Sequence, residues 1–305
     1  MRSLMLCAVL VPIPAIPSPV QKIDTCDHII VATAEAGAAT APFFVDGAEA
    51  GDLIVVSIEK LEPNRLTGTS ASVMTPNAIV PGSLGTRGAP ITWTIDKDKG
   101  VVRLDLSKAL PNVDWAARYS PPIYEFPLEP MIGAIATAPG DHDAGSTVAI
   151  AGAQTRVLLP VYEQGALLTF SHGLARHGDG DVTGSGIETT LDVTFSVELV
   201  KKKAWPHSSV ARASTVAGEF PIEWPRLETP DYIGAVSTAS TLHDALRHAT
   251  VELHHWMDDD YGYSERSLSI FLGPTMEYEI VSVAGPYTVI AKVRKSYIPK
   301  IAAAR

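Results

Sequence analysis

The chain has 305 residues, room for one large domain or two modest ones, and enough length to bury a core without disulfide support. Apolar residues make up 46% and charged residues 19%, a globular balance that excludes a disordered tail. With 24 Lys and Arg against 34 Asp and Glu, the net charge of −10 argues against a nucleic-acid partner and against docking on an anionic membrane.

The N-terminus opens with Arg2 and an apolar run from Leu4 to Ile16. The run has the length of a signal-peptide core and is too short to cross a bilayer. Pro12 and Pro14 interrupt it and no clear cleavage site follows, so a cytoplasmic location is expected, with secretion as the alternative. Cys7 and Cys26 are too few for a disulfide framework or a four-ligand zinc site and read as free thiols.

In chain order, 23 glycines and 23 prolines punctuate short apolar runs, the pattern of many strands joined by turns. Val45 to Leu61 reads as strand, turn and strand around residues 47–52. Residues 62–90, rich in Ser, Thr, Gly and Pro, read as a long loop. Ile91 to Ile95 and Val101 to Leu106 form a hairpin candidate around residues 96–100. Further strands are expected at Ile132 to Ala138, Val157 to Val161, Gly165 to Phe170 and Val182 to Ile187. The clearest is Asp192 to Val200, where Val193, Phe195, Val197 and Leu199 alternate with polar residues. Residues 204–230 read as an irregular connection.

Helix is expected only near the C-terminus. Ser240 is the expected cap, followed by Leu242, Ala245, Leu246, Ala249, Leu253 and Trp256 at helical spacing. Asp258, Asp259 and Asp260 oppose the helix dipole, which places the end near Trp256. Ser264 is expected to cap a second helix through Leu272. Strands from Glu279 to Val283 and from Tyr287 to Val293 close the chain. The fold class is mainly β with a helical pair near the C-terminus.

The densest polar cluster runs from Ser171 to Asp181 and carries His172, His177, Asp179 and Asp181 on a glycine-rich loop between expected core strands. Imidazole and carboxylate in that density suit a zinc ion or the activation of a water. The competing reading is a solvated turn. Pro139 to Asp143 is a second, weaker cluster. His243, His248, His254 and His255 lack the His-Glu-x-x-His pattern, and His243 and His254 fall off the apolar stripe. There is no phosphate loop, dinucleotide fingerprint or Gly-x-Ser-x-Gly elbow, and no Ser–His–acid arrangement is located.

Four stretches, in order, resemble the acetamidase/formamidase family of amide hydrolases. They are APFFVDGAEAGDLIVVSI (41–58), PMIGAIATAPG (130–140), LLPVYEQGALLTFSHGLARHGDGDVTGSGIE (158–188) and WPRLETPDYI (224–233). A Tyr-Gly-Tyr-Ser turn at 261–264 follows the last. The match covers residues 41–305 as an acetamidase/formamidase-like domain, preceded by an atypical segment 1–40. The resemblance implies a β-sandwich or barrel architecture with an α+β portion, homo-oligomers, a divalent metal with zinc the first expectation, and hydrolysis of a small amide substrate to a carboxylate and ammonia.

Several positions depart from the family pattern. The Asp-x-His before the core motif is His172 and Leu174 here, so the expected histidine is missing and a histidine replaces the aspartate. Asp181 stands where the family carries Glu, and His177 where Gln is common. AIAGAQTR (149–156) is shorter than the family's Gly-Gly-Asn-x-Asp segment and lacks its Asn and Asp. Asp179, Glu49 and Glu188 match. The resemblance therefore implies His172, His177 and Asp179 as metal ligands and Asp181 or Glu188 as base, with Asp179 and Glu49 further catalytic candidates. The alternative it leaves open is an inactive homologue that binds a small ligand or serves a structural role.

Overall fold

The structure, a computed structural model, describes residues 21–25, 27–35, 38–72, 90–109, 122–138, 147–202, 222, 224–283 and 286–299. Both cysteines, the run from Leu4 to Ile16 and the Pro139 to Asp143 cluster lie outside them.

The chain opens with β1 (Gln21–Ile23), β2 (Ile29–Ala32), β3 (Phe43–Val45), β4 (Leu53–Pro63) and β5 (Thr67–Ser70). β6 (Ile91–Asp96), β7 (Val101–Asp105), the single turn α1 (Leu106–Ala109), β8 (Ile123–Pro127) and β9 (Met131–Ala136) follow. The middle of the chain forms β10 (Thr147–Gly152), β11 (Thr155–Pro160), β12 (Thr169–Phe170), β13 (Gly173–Arg176), β14 (Ile187–Thr189) and β15 (Leu191–Val200). The last third forms β16 (Arg226–Glu228), β17 (Tyr232–Ala239), α2 (Leu242–Tyr261), α3 (Glu265–Thr275), β18 (Glu277–Ser282) and β19 (Tyr287–Arg294).

Two large antiparallel sheets result. One runs β18-β19-β17-β16-β11-β4-β15-β2; the other runs β10-β9-β13-β14-β5-β6-β7-β8, with β12 also on β9. β1 pairs in parallel with β3 alone. Thus part of the N-terminal forty residues is built into the body, β2 lying at the edge of the first sheet in register Asp192↔Ala32.

One core takes side chains from both sheets. Ile54, Val56, Val157, Val193 and Phe195 come from one, and Ile132, Ile135, Val148 and Phe170 from the other. Phe43, Phe170 and Phe195 meet at its centre, with ring centroids 4.6 to 6.1 Å apart. Such pairs add about 0.5–1.5 kcal/mol beyond area burial. β15 shows why the alternation works, since Val193, Phe195 and Val197 are buried while Asp192 and Glu198 are exposed. A second core forms where Ala249, Leu253, Trp256 and Met257 of α2 and Leu268 and Leu272 of α3 cover Ile233, Ala235, Ala291 and Val293.

The structure corrects several expectations. The loop expected from residue 62 contains β5, paired with both β6 and β14, and residues 226–228 form β16 inside the expected irregular connection. Gly165 to Phe170 is buried but is a strand only at Thr169 and Phe170. Ala166 and Leu167 take positive φ (56° and 50°), so the run turns before it pairs. Val182 to Ile187 is a turn until Ile187, where β14 begins.

The long helix starts from Thr241, whose side chain accepts the Asp244 N–H, and not from Ser240. It passes Trp256 and ends at Tyr261, where left-handed Gly262 donates its N–H to the Met257 and Asp258 carbonyls. Buried Trp256 and Met257 hold the final turn. Arg226, with Nη1 3.9 Å from Asp260, offsets the acidic run that disfavours a helix C-terminus. Ser264 caps α3 as expected. No helix among the described residues is long and apolar enough to cross a membrane.

Candidate active-site pocket

The site grows out of the register of β9, β13 and β14. Leu174 pairs with Glu188 across the β13–β14 ladder, so their side chains stand side by side on one face. His172, two residues before Leu174, falls on that same face by strand alternation. Its carbonyl accepts the Gly133 N–H at 2.9 Å, which anchors it to β9, and its backbone bridges Ala34.

Gly133 is bare because the imidazole lies on it. A Cβ there would come within 2.8 Å of His172 Cε1 and Nε2. Gly186 does the same for the second histidine, since its Cβ would meet the Arg176 carbonyl at 2.5 Å and His177 Cδ2 at 3.1 Å.

After Leu174 the β13–β14 register slips, a bulge that re-aims the chain into the 177–186 turn. There Asp181 sits at φ 46°, a left-handed conformation that a non-glycine residue seldom adopts, right after Gly180 at φ 81°. The turn is pinned from across the molecule, where the Val283 N–H donates to the Gly180 carbonyl at 2.9 Å. This brings Asp181 Oδ1 to 3.6 Å from His177 Nε2, with the imidazole only 8% exposed. A positive-φ acidic residue aimed at a buried imidazole is the kind of strain that collects at functional positions.

His172, Leu174, His177, Asp181 and Glu188 line one cavity of about 210 Å³, together with Gly133, Ser185, Val281 and Ser282. A larger cavity of about 490 Å³ lies between β2 and β3, but Val31, Ala32, Ala34, Ala41 and Phe43 dominate its wall and none of its lining residues titrates. Of these two cavities, only the smaller is lined by titratable side chains.

Four of the six sequence candidates converge there. The other two do not. Asp179 is exposed and does not line the cavity, because left-handed Gly180 separates the directions of Asp179 and Asp181. Glu49 lies on the turn before β4, where Lys201 Nζ contacts it at 2.8 Å and buried Asp52 at 2.6 Å. Burial pushes the Asp52 carboxyl up, but the Lys201 ammonium and the N–H groups of Lys202 and Glu49 outweigh it and leave it below its ordinary value. Glu49 thus belongs to a clamp that holds the β3–β4 turn to the end of β15. Val281 and Ser282, from β18, join the pocket with no local signal in the sequence.

The donors do not fit a zinc ion as arranged. A catalytic zinc takes three protein ligands. Among the described residues no three His, Cys, Asp or Glu side chains gather closely enough to hold one. Leu174, beside Glu188 and on the face of His172, adds an apolar side chain to the lining and no donor.

Three solved structures share this architecture. The acetamidase from Yersinia enterocolitica aligns at TM-score 0.70 with 20% identity, over 93% of this chain and 88% of that one. A predicted acetamidase/formamidase from Thermoanaerobacter tengcongensis aligns at 0.69 with 20% identity, over 92% and 91%. An acetamidase from Bacillus halodurans aligns at 0.68 with 22% identity, over 92% and 93%. The chain has the acetamidase/formamidase fold. No protein-family model matches the chain, and no curated protein matches it in sequence.

Proposed function

We propose that this chain hydrolyses the C–N bond of short aliphatic amides at the His172–His177–Asp181–Glu188 pocket. The observation that carries the reading is the convergence of two imidazoles and two carboxylates on one small cavity within an acetamidase-type fold. The strained backbone of Asp181, directed at His177, supports it.

In this reading His177 takes a proton from water as the water oxygen bonds to the amide carbon. Asp181 stabilises the imidazolium that forms, as a carboxylate does for a catalytic histidine. His172 donates a hydrogen bond to the carbonyl oxygen as negative charge develops on it. The imidazolium then returns its proton to the nitrogen, the C–N bond breaks, and ammonia and the carboxylic acid leave, the acid giving its proton to water or to the ammonia. The side chains alone carry these steps.

Leu174 favours a second reading, in which the pocket binds a small polar ligand without turning it over. It puts an apolar wall where the resemblance sets a histidine. Ammonia release from acetamide by wild-type protein and His177→Ala separates the two. Turnover that falls about 10²-fold or more in the variant supports hydrolysis at this site. Acetamide binding without any release supports the second reading.

A further inference from the structure

We infer that the pocket selects amides that carry a positive charge, amino amides of which glycinamide is the simplest, and that Glu188 anchors that charge. The inference deepens the hydrolase reading and rests on it for turnover, though not for binding.

The charge balance of the cavity carries the argument. Its lining includes two carboxylates, two imidazoles and no Lys or Arg. Asp181 Oδ1 faces the His177 ring, 3.6 Å from Nε2. Glu188 lies half-buried in the wall, and among the described residues its carboxylate takes part in no hydrogen bond or ion pair. The cation nearest in the strand pair, Arg176, is committed elsewhere. Its Nη1 donates to the Pro127 carbonyl at 3.0 Å and meets Glu129 at 2.9 Å, and its guanidinium lies over the Phe126 ring.

A carboxylate held in a partly desolvated wall with no partner favours a cation there more strongly than an exposed one does. Apolar Leu174 and Val281 flank the space and suit a short alkyl spacer between ammonium and amide. An amide bearing a carboxylate would meet Glu188 and Asp181 as like charges. The net charge of −10 adds a long-range attraction for cationic substrates.

The test compares kcat/KM for glycinamide, acetamide and succinamate at pH 6.5, where an α-amino group is protonated. The expected order is glycinamide over acetamide by about tenfold, the scale of one charged hydrogen bond, with succinamate below both. Glu188→Gln should bring the glycinamide-to-acetamide ratio to about one, mainly through KM. Glu188→Asp, which keeps the charge, should preserve part of it. A wild-type ratio near one, or a ratio that survives Glu188→Gln, overturns the proposal. If no amide is turned over, the hydrolase reading fails and calorimetric titration with glycinamide decides the anchor separately. Binding by wild type that Glu188→Gln loses upholds it, and no binding by either protein overturns it.

Discussion

At the scale of single residues, the pocket depends on positions where the backbone does something unusual. Asp181 is held left-handed, which costs an L-residue roughly 1–2 kcal/mol, somewhat less for Asp. Asp181→Gly removes that strain at the cost of a more flexible unfolded chain. The account predicts a stability gain of up to about 1 kcal/mol in urea unfolding, together with loss of turnover because His177 loses its carboxylate. A variant destabilised by more than about 1 kcal/mol, or one fully active, contradicts it.

Leu174 is the other decisive residue. Leu174→His puts an imidazole beside Glu188 and on the face of His172. After incubation with zinc and dialysis, elemental analysis should find about one ion per chain in the variant and well below that in wild type. Equal zinc in the two proteins would show that ligands other than these govern the metal.

The same scale shows what could be read from the sequence. His172, His177 and Asp181 stood out in a dense polar run and Glu188 through the family resemblance, and all four line one cavity. Asp179 stood out equally but is turned outward, because a two-residue difference across a left-handed glycine is invisible to composition. Glu49 matched a motif, and the fold places it in a lysine clamp instead.

At the scale of elements, alternation was the dependable signal. β15, the β6–β7 hairpin and the β3–β4 turn follow from period-two patterning and glycine punctuation. Gly165 to Phe170 misled for the opposite reason: a buried apolar run looks like a strand even when two of its residues take positive φ. α2 outran its expected end because burial of Trp256 and Met257 outweighs an acidic last turn.

The join between α2 and β16 rests on an ion pair that local sequence does not announce. Arg226 Nε meets Glu252 Oε1 at 2.6 Å with both side chains 2% exposed, and the guanidinium lies over Trp256. Glu252→Ala leaves Arg226 buried without its main counter-ion. Urea unfolding should show a loss of about 3–5 kcal/mol. A loss below about 1 kcal/mol would mean that Asp260, 3.9 Å away, compensates.

At the scale of the molecule, the pocket is a product of topology. β9, β13 and β14 supply its floor from the second sheet, and β18 of the first sheet closes it with Val281 and Ser282, about a hundred residues downstream. The Val283–Gly180 hydrogen bond ties those two parts together. No window of sequence contains that arrangement, which is why four of the lining side chains could be picked out in the sequence and the closure of the cavity could not.

The measurement that bears most directly on the account is ammonia release from formamide and acetamide by purified wild-type protein and by His177→Ala, with circular dichroism to establish that both are folded. The account predicts release by wild type above a heat-denatured control and a fall of about 10²-fold or more in the variant. No release from folded wild type, or equal release from the two proteins, would contradict it.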